Sequence, residues 1–285
     1  MSGIECTTMV ITKSELNSYH HNGFLVIENF VAAGECDLLR KRAEELVDEF
    51  EPTGLVSLFS TLEQNRIADE YFLTSGDKIR FFFEENAFNS DGSLKHEKAR
   101  SINKIGHALH DLDPLFDRFS RSDKIRQLTT DLEIQQPLLL QSMYIFKQPN
   151  IGGEVACHQD STFLYTEPID MAGLWFALED ATIENGCLWA IPGGHNRGLK
   201  SRWVRCLNGG MEFRTFDSEP WPEQELIPLE VKKGSLILLH GLLPHRSLEN
   251  RSHRSRHAYT LHVIAGTARY PADNWLQRSI PMRGF

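Results

Sequence analysis

Leu138-Leu139-Leu140-Gln141-Ser142-Met143-Tyr144-Ile145-Phe146 is where the chain changes character. This apolar, aromatic-rich run reads as a buried strand. Short runs of the same kind follow at Glu154 to Asp160, Met171 to Leu178, Cys187 to Ile191, Ile227 to Val231, Ser235 to His240 and His257 to Ile264. Between them stand turn formers: Gly152-Gly153, Glu184-Asn185-Gly186, Pro192-Gly193-Gly194 and Lys233-Gly234. Short strands so closely spaced predict a barrel or sandwich rather than a wound α/β sheet.

Upstream of Pro137 the pattern is mostly helical. Ser14 is placed to cap a short helix through Tyr19 that stops near Asn22-Gly23, and Phe24 to Ile27 reads as a short strand. From Ala33 to Phe50, Leu38, Leu39, Ala43, Leu46, Val47 and Phe50 recur at helical spacing. Ile79 to Phe83 reads as a strand, and 97–112 and 122–132 as helices, the second opening at Ser122. No repeat or linker interrupts the 285 residues. One domain is therefore expected, helix-rich over 1–135, β-rich over 136–266, with a tail at 267–285.

Composition narrows the function classes. A net charge of −9 argues against a general nucleic-acid or anionic-membrane binder, which needs a positive surface. No apolar run approaches the roughly 20 residues that span a bilayer. The opening Met1-Ser2-Gly3-Ile4-Glu5 does not read as a signal peptide, so the cytoplasm is expected. Cys6, Cys36, Cys157, Cys187 and Cys206 are odd in number and widely spaced, as reduced thiols would be.

Chemistry concentrates at His158-Gln159-Asp160. Along a strand, residues i and i+2 share a face, so His158 and Asp160 can point at one metal while Gln159 points away. One more imidazole would complete a 2-His-1-carboxylate set, the donor arrangement of non-heme Fe(II) oxygenases. His-x-Asp alone is equally the pattern of a hydrogen-bonded pair near a strand end. The third donor lies between His240, which ends an apolar run, and His245. Arg256 sits among Arg251, His253 and Arg254 and reads as a solvated basic turn, unless it heads the last strand into the interior. A guanidinium buried there needs an anionic partner.

Ordered blocks across the chain carry a family resemblance. They are Ser101 to Leu109, Gln141 to Pro149, His158-Gln159-Asp160, Glu184 to Trp189, Pro192-Gly193-Gly194-His195, Pro244-His245-Arg246-Ser247 and Arg254 to Tyr259. Together they resemble the phytanoyl-CoA dioxygenase family over nearly the whole length. The resemblance implies a mainly β fold, a double-stranded β-helix (jelly roll, cupin-like) with a helical N-terminal layer. It implies Fe(II) as the metal, held by His158, Asp160 and His245, and 2-oxoglutarate as co-substrate. Arg256, eleven residues after His245, matches the arginine on the far carboxylate, and Ser247 a hydroxyl on the same group. Lys104, Met143 and Trp175 match further co-substrate contacts; without the resemblance they read as surface or core. Cys157 stands where most relatives carry proline.

The implied activity converts 2-oxoglutarate and O2 to succinate and CO2 with hydroxylation of a small-molecule substrate, and the carboxylate at Asp160 favours hydroxylation over halogenation. The alternatives are a cupin-like 2-oxoglutarate-binding module without turnover and a Zn(II) hydrolase. Of the other histidines, His195 is expected in a structural hydrogen bond, and His253, His257 and His262 at the surface or behind the ligands.

Overall fold

The strand-rich half predicted from Pro137 onward folds as two facing antiparallel sheets. A computed structural model describes residues 9–52 and 70–285, so Cys6 and the opening residues read for a leader lie outside it. The strands in chain order are β1 (Phe24–Ile27), β2 (Ile79–Phe83), β3 (Ile102–His107), β4 (Pro137–Ile145), β5 (Val155–His158), β6 (Met171–Ala177), β7 (Leu188–Ala190), β8 (Ser201–Arg205), β9 (Met211–Thr215), β10 (Ile227–Leu229), β11 (Leu236–His240), β12 (His245–Ser247) and β13 (Ala258–Ala265). Seven form one sheet in the order β1-β11-β6-β13-β4-β3-β2, and four form a second in the order β10-β7-β12-β5. From β4 through β7 and from β10 through β13, the chain crosses back and forth between the sheets. That is the double-stranded β-helix, with β8 and β9 as an inserted hairpin and β1 to β3 widening the larger sheet.

Alternation sorts the side chains of the larger sheet. On β13, Tyr259, Leu261 and Val263 join the main apolar core, together with Leu39, Ala43, Phe116 and Leu128 from the helical layer. Ala258, on the opposite face, packs with Trp175, Ala177 and Leu239 inside the barrel. Each fully buried Leu or Phe in that main core contributes about 1.5–3 kcal/mol, which fixes which face of the sheet meets the helices. The helices are α1 (Lys13–Asn22), α2 (Ala33–Glu49), α3 (Glu70–Leu73), α4 (Lys98–Ser101), α5 (Leu109–Leu112), α6 (Pro114–Ser120) and α7 (Asp123–Asp131). α2 buries Leu39, Ala43, Leu46 and Val47 along one stripe, but Leu38, counted in that stripe from the sequence, is 56% exposed.

Four local expectations change. Thr12, not Ser14, caps α1: it accepts from the Glu15 backbone while Glu15 reaches back, a capping box. Segment 97–112 is not one helix, because Ile102–His107 is a strand between β2 and β4. All six of its residues are buried, so no polar alternation marks it in sequence. β8, β9 and β12 had no counterpart in the sequence reading. Asp160 lies just past β5, in a one-turn 3-10 helix (Asp160–Thr162).

One buried carboxylate gathers much of the tie between the tail and the helical layer, with Asp117 adding a second contact to Arg283 at 2.9 Å. Asp111, with a side chain 2% exposed, takes hydrogen bonds from Arg121 (2.7 Å), Arg283 (3.0 Å) and Arg278. Burial works against ionisation, but His110 and the arginines outweigh it and hold this carboxyl down at about 2. A depressed carboxyl contributes stability above its unfolded pKa, near 4, that is lost as pH falls through the folded value. Asp111→Asn is therefore expected to cost about 3 kcal/mol at pH 7 in urea unfolding, because it strips three guanidinium groups of their shared charge. The gap between parent and variant should close between about pH 4 and pH 2; a constant gap would show that charge is not the cause.

Candidate active site

Three elements converge on one point inside the barrel. β12 pairs with β5 so that His245 lies directly opposite His158. Gln159 is extended, at φ −112° and ψ 135°, so Asp160 emerges on the same side as His158. Gln159 itself points away and is locked: its amide donates to the Gly198 and Leu242 carbonyls at 2.8 Å and accepts from the Lys200 backbone at 3.0 Å. The alternation argument therefore holds at Asp160 although the strand has ended. One donor atom from each of His158, Asp160 and His245 lies within 4.8 Å of the others.

The imidazoles are aimed by their own backbone. Nδ1 of His158 is 2.8 Å from the Ala156 carbonyl, and Nδ1 of His245 is 2.9 Å from the Leu243 carbonyl. A carbonyl can only accept, so Nδ1 carries the proton on both rings and Nε2 presents a lone pair. Those Nε2 atoms sit 3.5 and 3.7 Å from Asp160 Oδ1. The other carboxylate oxygen, Oδ2, is 3.3 Å from Nε2 of His262. One oxygen thus faces the cluster and one is held from behind. Gly173 leaves room for this: a Cβ there would come within 3.1 Å of Asp160 Oδ2.

Burial pushes the His245 imidazole down to about 4, against the pull of Asp160, so it is neutral at pH 7. Burial would raise the Asp160 carboxyl, but His245 and His262 outweigh it and hold it well below the usual carboxylate range. A neutral imidazole at His245 and an ionised carboxylate at Asp160 are protonation states that suit a divalent metal. The donor set fits Fe(II) and, by residue type alone, Zn(II) as well.

Deeper in the barrel lies a cation that no carboxylate among the described residues pairs. Arg256 is 1% exposed. Its Nε donates to the Gly186 carbonyl at 3.1 Å and one terminal nitrogen to Ser247 Oγ at 3.2 Å, while Nη1 has no partner. Burial pulls this guanidinium down to about 10, still charged at pH 7. Ser247 in turn donates to Gly186, so the two side chains share one carbonyl. The ring of Trp175 lies 5.1 Å beneath the guanidinium. Between this end and the His–Asp cluster stand Met143 and Trp175, both register partners of Thr260. Lys104 is buried on β3 with Nζ 3.8 Å from the Met143 sulfur, not exposed on a helix. All eight residues singled out from the sequence therefore fall along the inside of one barrel.

The other histidines sort as follows. His240 lies tilted against His195, ring centroids 4.9 Å apart, and accepts from the Leu242 amide, outside the triad. His195 bonds the His20 carbonyl at 3.0 Å, the structural contact expected of it. His257 bonds the Tyr144 hydroxyl at 2.8 Å. His262 is buried behind Asp160 rather than at the surface, with Gln141 at 3.4 Å on its far side. The signal for it existed: counting in twos from Arg256 along β13 puts 258, 260 and 262 on the inner face.

A jelly roll with a His-Asp-His set on its inner strands defines the architecture of 2-oxoglutarate-dependent dioxygenases. EctD from S. alaskensis is one solved example, similar in fold at TM-score 0.64 with bound Fe, where 18% of residues are identical and 95% of this chain and 83% of that one are covered. Its complex with 2-oxoglutarate and 5-hydroxyectoine aligns at TM-score 0.62, 18% identity, 93% and 80% coverage. The family model for phytanoyl-CoA dioxygenase (PhyH) matches residues 19–258, and the chain belongs to that family. It is 50% identical to an Arabidopsis thaliana phytanoyl-CoA dioxygenase, with 94% of each chain covered. It is 48% identical to a Bos taurus phytanoyl-CoA dioxygenase domain-containing protein 1, covering 94% of this chain and 95% of that one.

His262→Leu is expected to weaken Mn(II) binding about 10- to 100-fold, since it releases the rear oxygen of Asp160. His262→Gln, which can still donate there, should lose far less. Titration of the free Mn(II) signal measures both; equal affinity for parent and His262→Leu would leave His262 without a role at the metal.

Proposed function

We propose that this chain is an Fe(II)- and 2-oxoglutarate-dependent dioxygenase that converts 2-oxoglutarate and O2 to succinate and CO2, coupled to hydroxylation of a small molecule. The observation that carries the reading is the pairing of two features along one barrel axis. One is a clustered His158, Asp160 and His245 with lone pairs facing a common point. The other is a buried guanidinium, Arg256, with an unpartnered nitrogen and no carboxylate of its own. A buried charge that lacks a partner costs several kcal/mol, which a dicarboxylate ligand would offset. The named co-substrate of the EctD complex and the bound Fe of its companion structure support the same choice.

In this proposal each residue has a defined task. His158, Asp160 and His245 would hold Fe(II). Bound there, Fe(II) supplies the oxygen activation and oxidative decarboxylation that no side chain can perform. Arg256 binds the far carboxylate of 2-oxoglutarate through Nη1, and Ser247 fixes the angle of that guanidinium by accepting from Nη2. Trp175 and Met143 flank the carbon chain and exclude water. Lys104 adds positive charge on the same inner face. The neutral state of His245 means that binding metal displaces no proton from it at pH 7. The helix-rich segment, β core and tail act as one unit, with Asp111 joining the last to the first.

His158→Ala is expected to abolish succinate release from 2-oxoglutarate, and Arg256→Ala to raise the KM for 2-oxoglutarate at least 100-fold. Arg256→Lys should recover only part of this, because a single ammonium cannot reproduce the planar fork. Iron-loaded parent protein that binds 2-oxoglutarate yet releases no succinate across a substrate panel would point to a binding module. Hydrolysis with zinc and none of this turnover would point to a hydrolase.

A further inference from the structure

The barrel's inner face changes chemistry along its axis. Beyond the His262 and Gly173 level the next inward pair is Ile264 and Met171, which pack with Leu164, Trp203 and Trp275. Aromatic rings continue from there to the metal ligands. Phe163 meets His158 edge-on at 5.8 Å, Trp203 lies 6.1 Å from Phe163, and Phe72 stacks on Trp275 at 4.5 Å. The Arg256 end is polar and charged, and this end is apolar and aromatic.

Two hydrogen-bond acceptors stand in this apolar surround with no donor among the described residues. His107, 1% exposed, is met edge-on by Phe72 and Trp275 at 5.4 and 5.2 Å. Its Nδ1 is 2.7 Å from Ser75 Oγ, and Ser75 donates its one proton to the Phe72 carbonyl at 2.5 Å. The ring must therefore be the donor at Nδ1, so Nε2 carries a bare lone pair, and no group among the described residues hydrogen-bonds to it. Burial, with Lys104, His262 and Arg80 adding to it, keeps the ring neutral. Gln141, beside the His107 register partner Ser142, directs its amide nitrogen at His262 and leaves Oε1 unpartnered. A buried acceptor left unmade costs about 1–3 kcal/mol. A ligand donor would recover that.

We infer that this compartment receives the prime substrate, and that the substrate is an uncharged molecule, flat or aromatic at its reacting end, whose N–H or O–H is accepted by His107 Nε2. The two acceptors repel an anion, and the nearby Lys104 ammonium repels a cation. The rings select a planar apolar body. His107 is then the residue that reads the donor, while the triad determines where the chemistry falls. The inference rests on the metal reading above and deepens it.

The test uses full-length protein loaded with Mn(II) and 2-oxoglutarate, with indole, 1-methylindole and indole-3-acetate as probes. Paramagnetic broadening of the probe's proton signals reports binding beside the metal, and succinate release from the iron form is followed in parallel. Indole should bind at least about fivefold more tightly than 1-methylindole, the value of one neutral hydrogen bond. Indole-3-acetate should bind more weakly than either. His107→Phe should erase the preference for indole. His107→Gln, which keeps an acceptor, should retain part of it and guards against a variant that merely misfolds. Equal binding of indole and its methylated form to the parent, tighter binding of the acid, or an undiminished preference in His107→Phe overturns the inference. Absence of broadening with Mn(II) demonstrably bound overturns it as well. Failure of the parent to bind Mn(II) at all is a different result: it removes the metal reading, and this inference with it.

Discussion

A carboxylate buried among three imidazoles is the constraint from which the rest of the interior follows. Asp160 is 8% exposed, and an ionised group at that depth is costly unless every lone pair is engaged. His158 and His245 face one oxygen and His262 backs the other. To bring them together, a strand of the small sheet, its neighbour, a strand of the large sheet and a 3-10 turn must all converge. The register of β12 on β5 and of β13 on β6 is thus set by chemistry as well as by packing. A slip of one residue would turn His245 and His262 to the opposite faces of their sheets.

That convergence also divides the barrel into zones. Three consecutive inward positions on β13, Ala258, Thr260 and His262, step from the guanidinium toward the metal set, each about 6.6 Å from the last. Met143 and Trp175 fill the middle step, and the aromatic cluster begins one step past His262. Interiors of small barrels are usually filled by side chains. Here the filling is graded from charged to apolar, which suits one end to a dicarboxylate and the other to an uncharged ring.

The glycines of the site explain how so much polarity fits. Gly173 gives up its side chain to the carboxylate of Asp160. Gly186, at φ +81°, turns its carbonyl to Arg256 and Ser247 in a backbone region few other residues adopt, and a Cβ there would meet the Leu248 carbonyl at 2.6 Å. Both contacts join residues far apart in the chain. Neither could be read from the local sequence.

What the chain's order of residues determined is considerable. The onset of short apolar runs at Leu138 marked the sheets, and alternation placed His158 and Asp160 on one face with Gln159 turned away. Family-like blocks selected His245 over His240 and drew Arg256 out of a basic turn. The structure gathers these residues inside one barrel, and their alternation was legible because it depends on a local period. What escaped depended on burial from both sides or on partners remote in sequence. β3 is covered on both faces, so its six buried residues carried no alternation and read as part of a helix. His262 stood between the surface and a place behind the ligands until folding set it behind Asp160, and His107 looked like an ordinary histidine, since only folding shows a lone pair that no described residue meets. Spacing tells which residues share a face; only the packed barrel decides what that face meets.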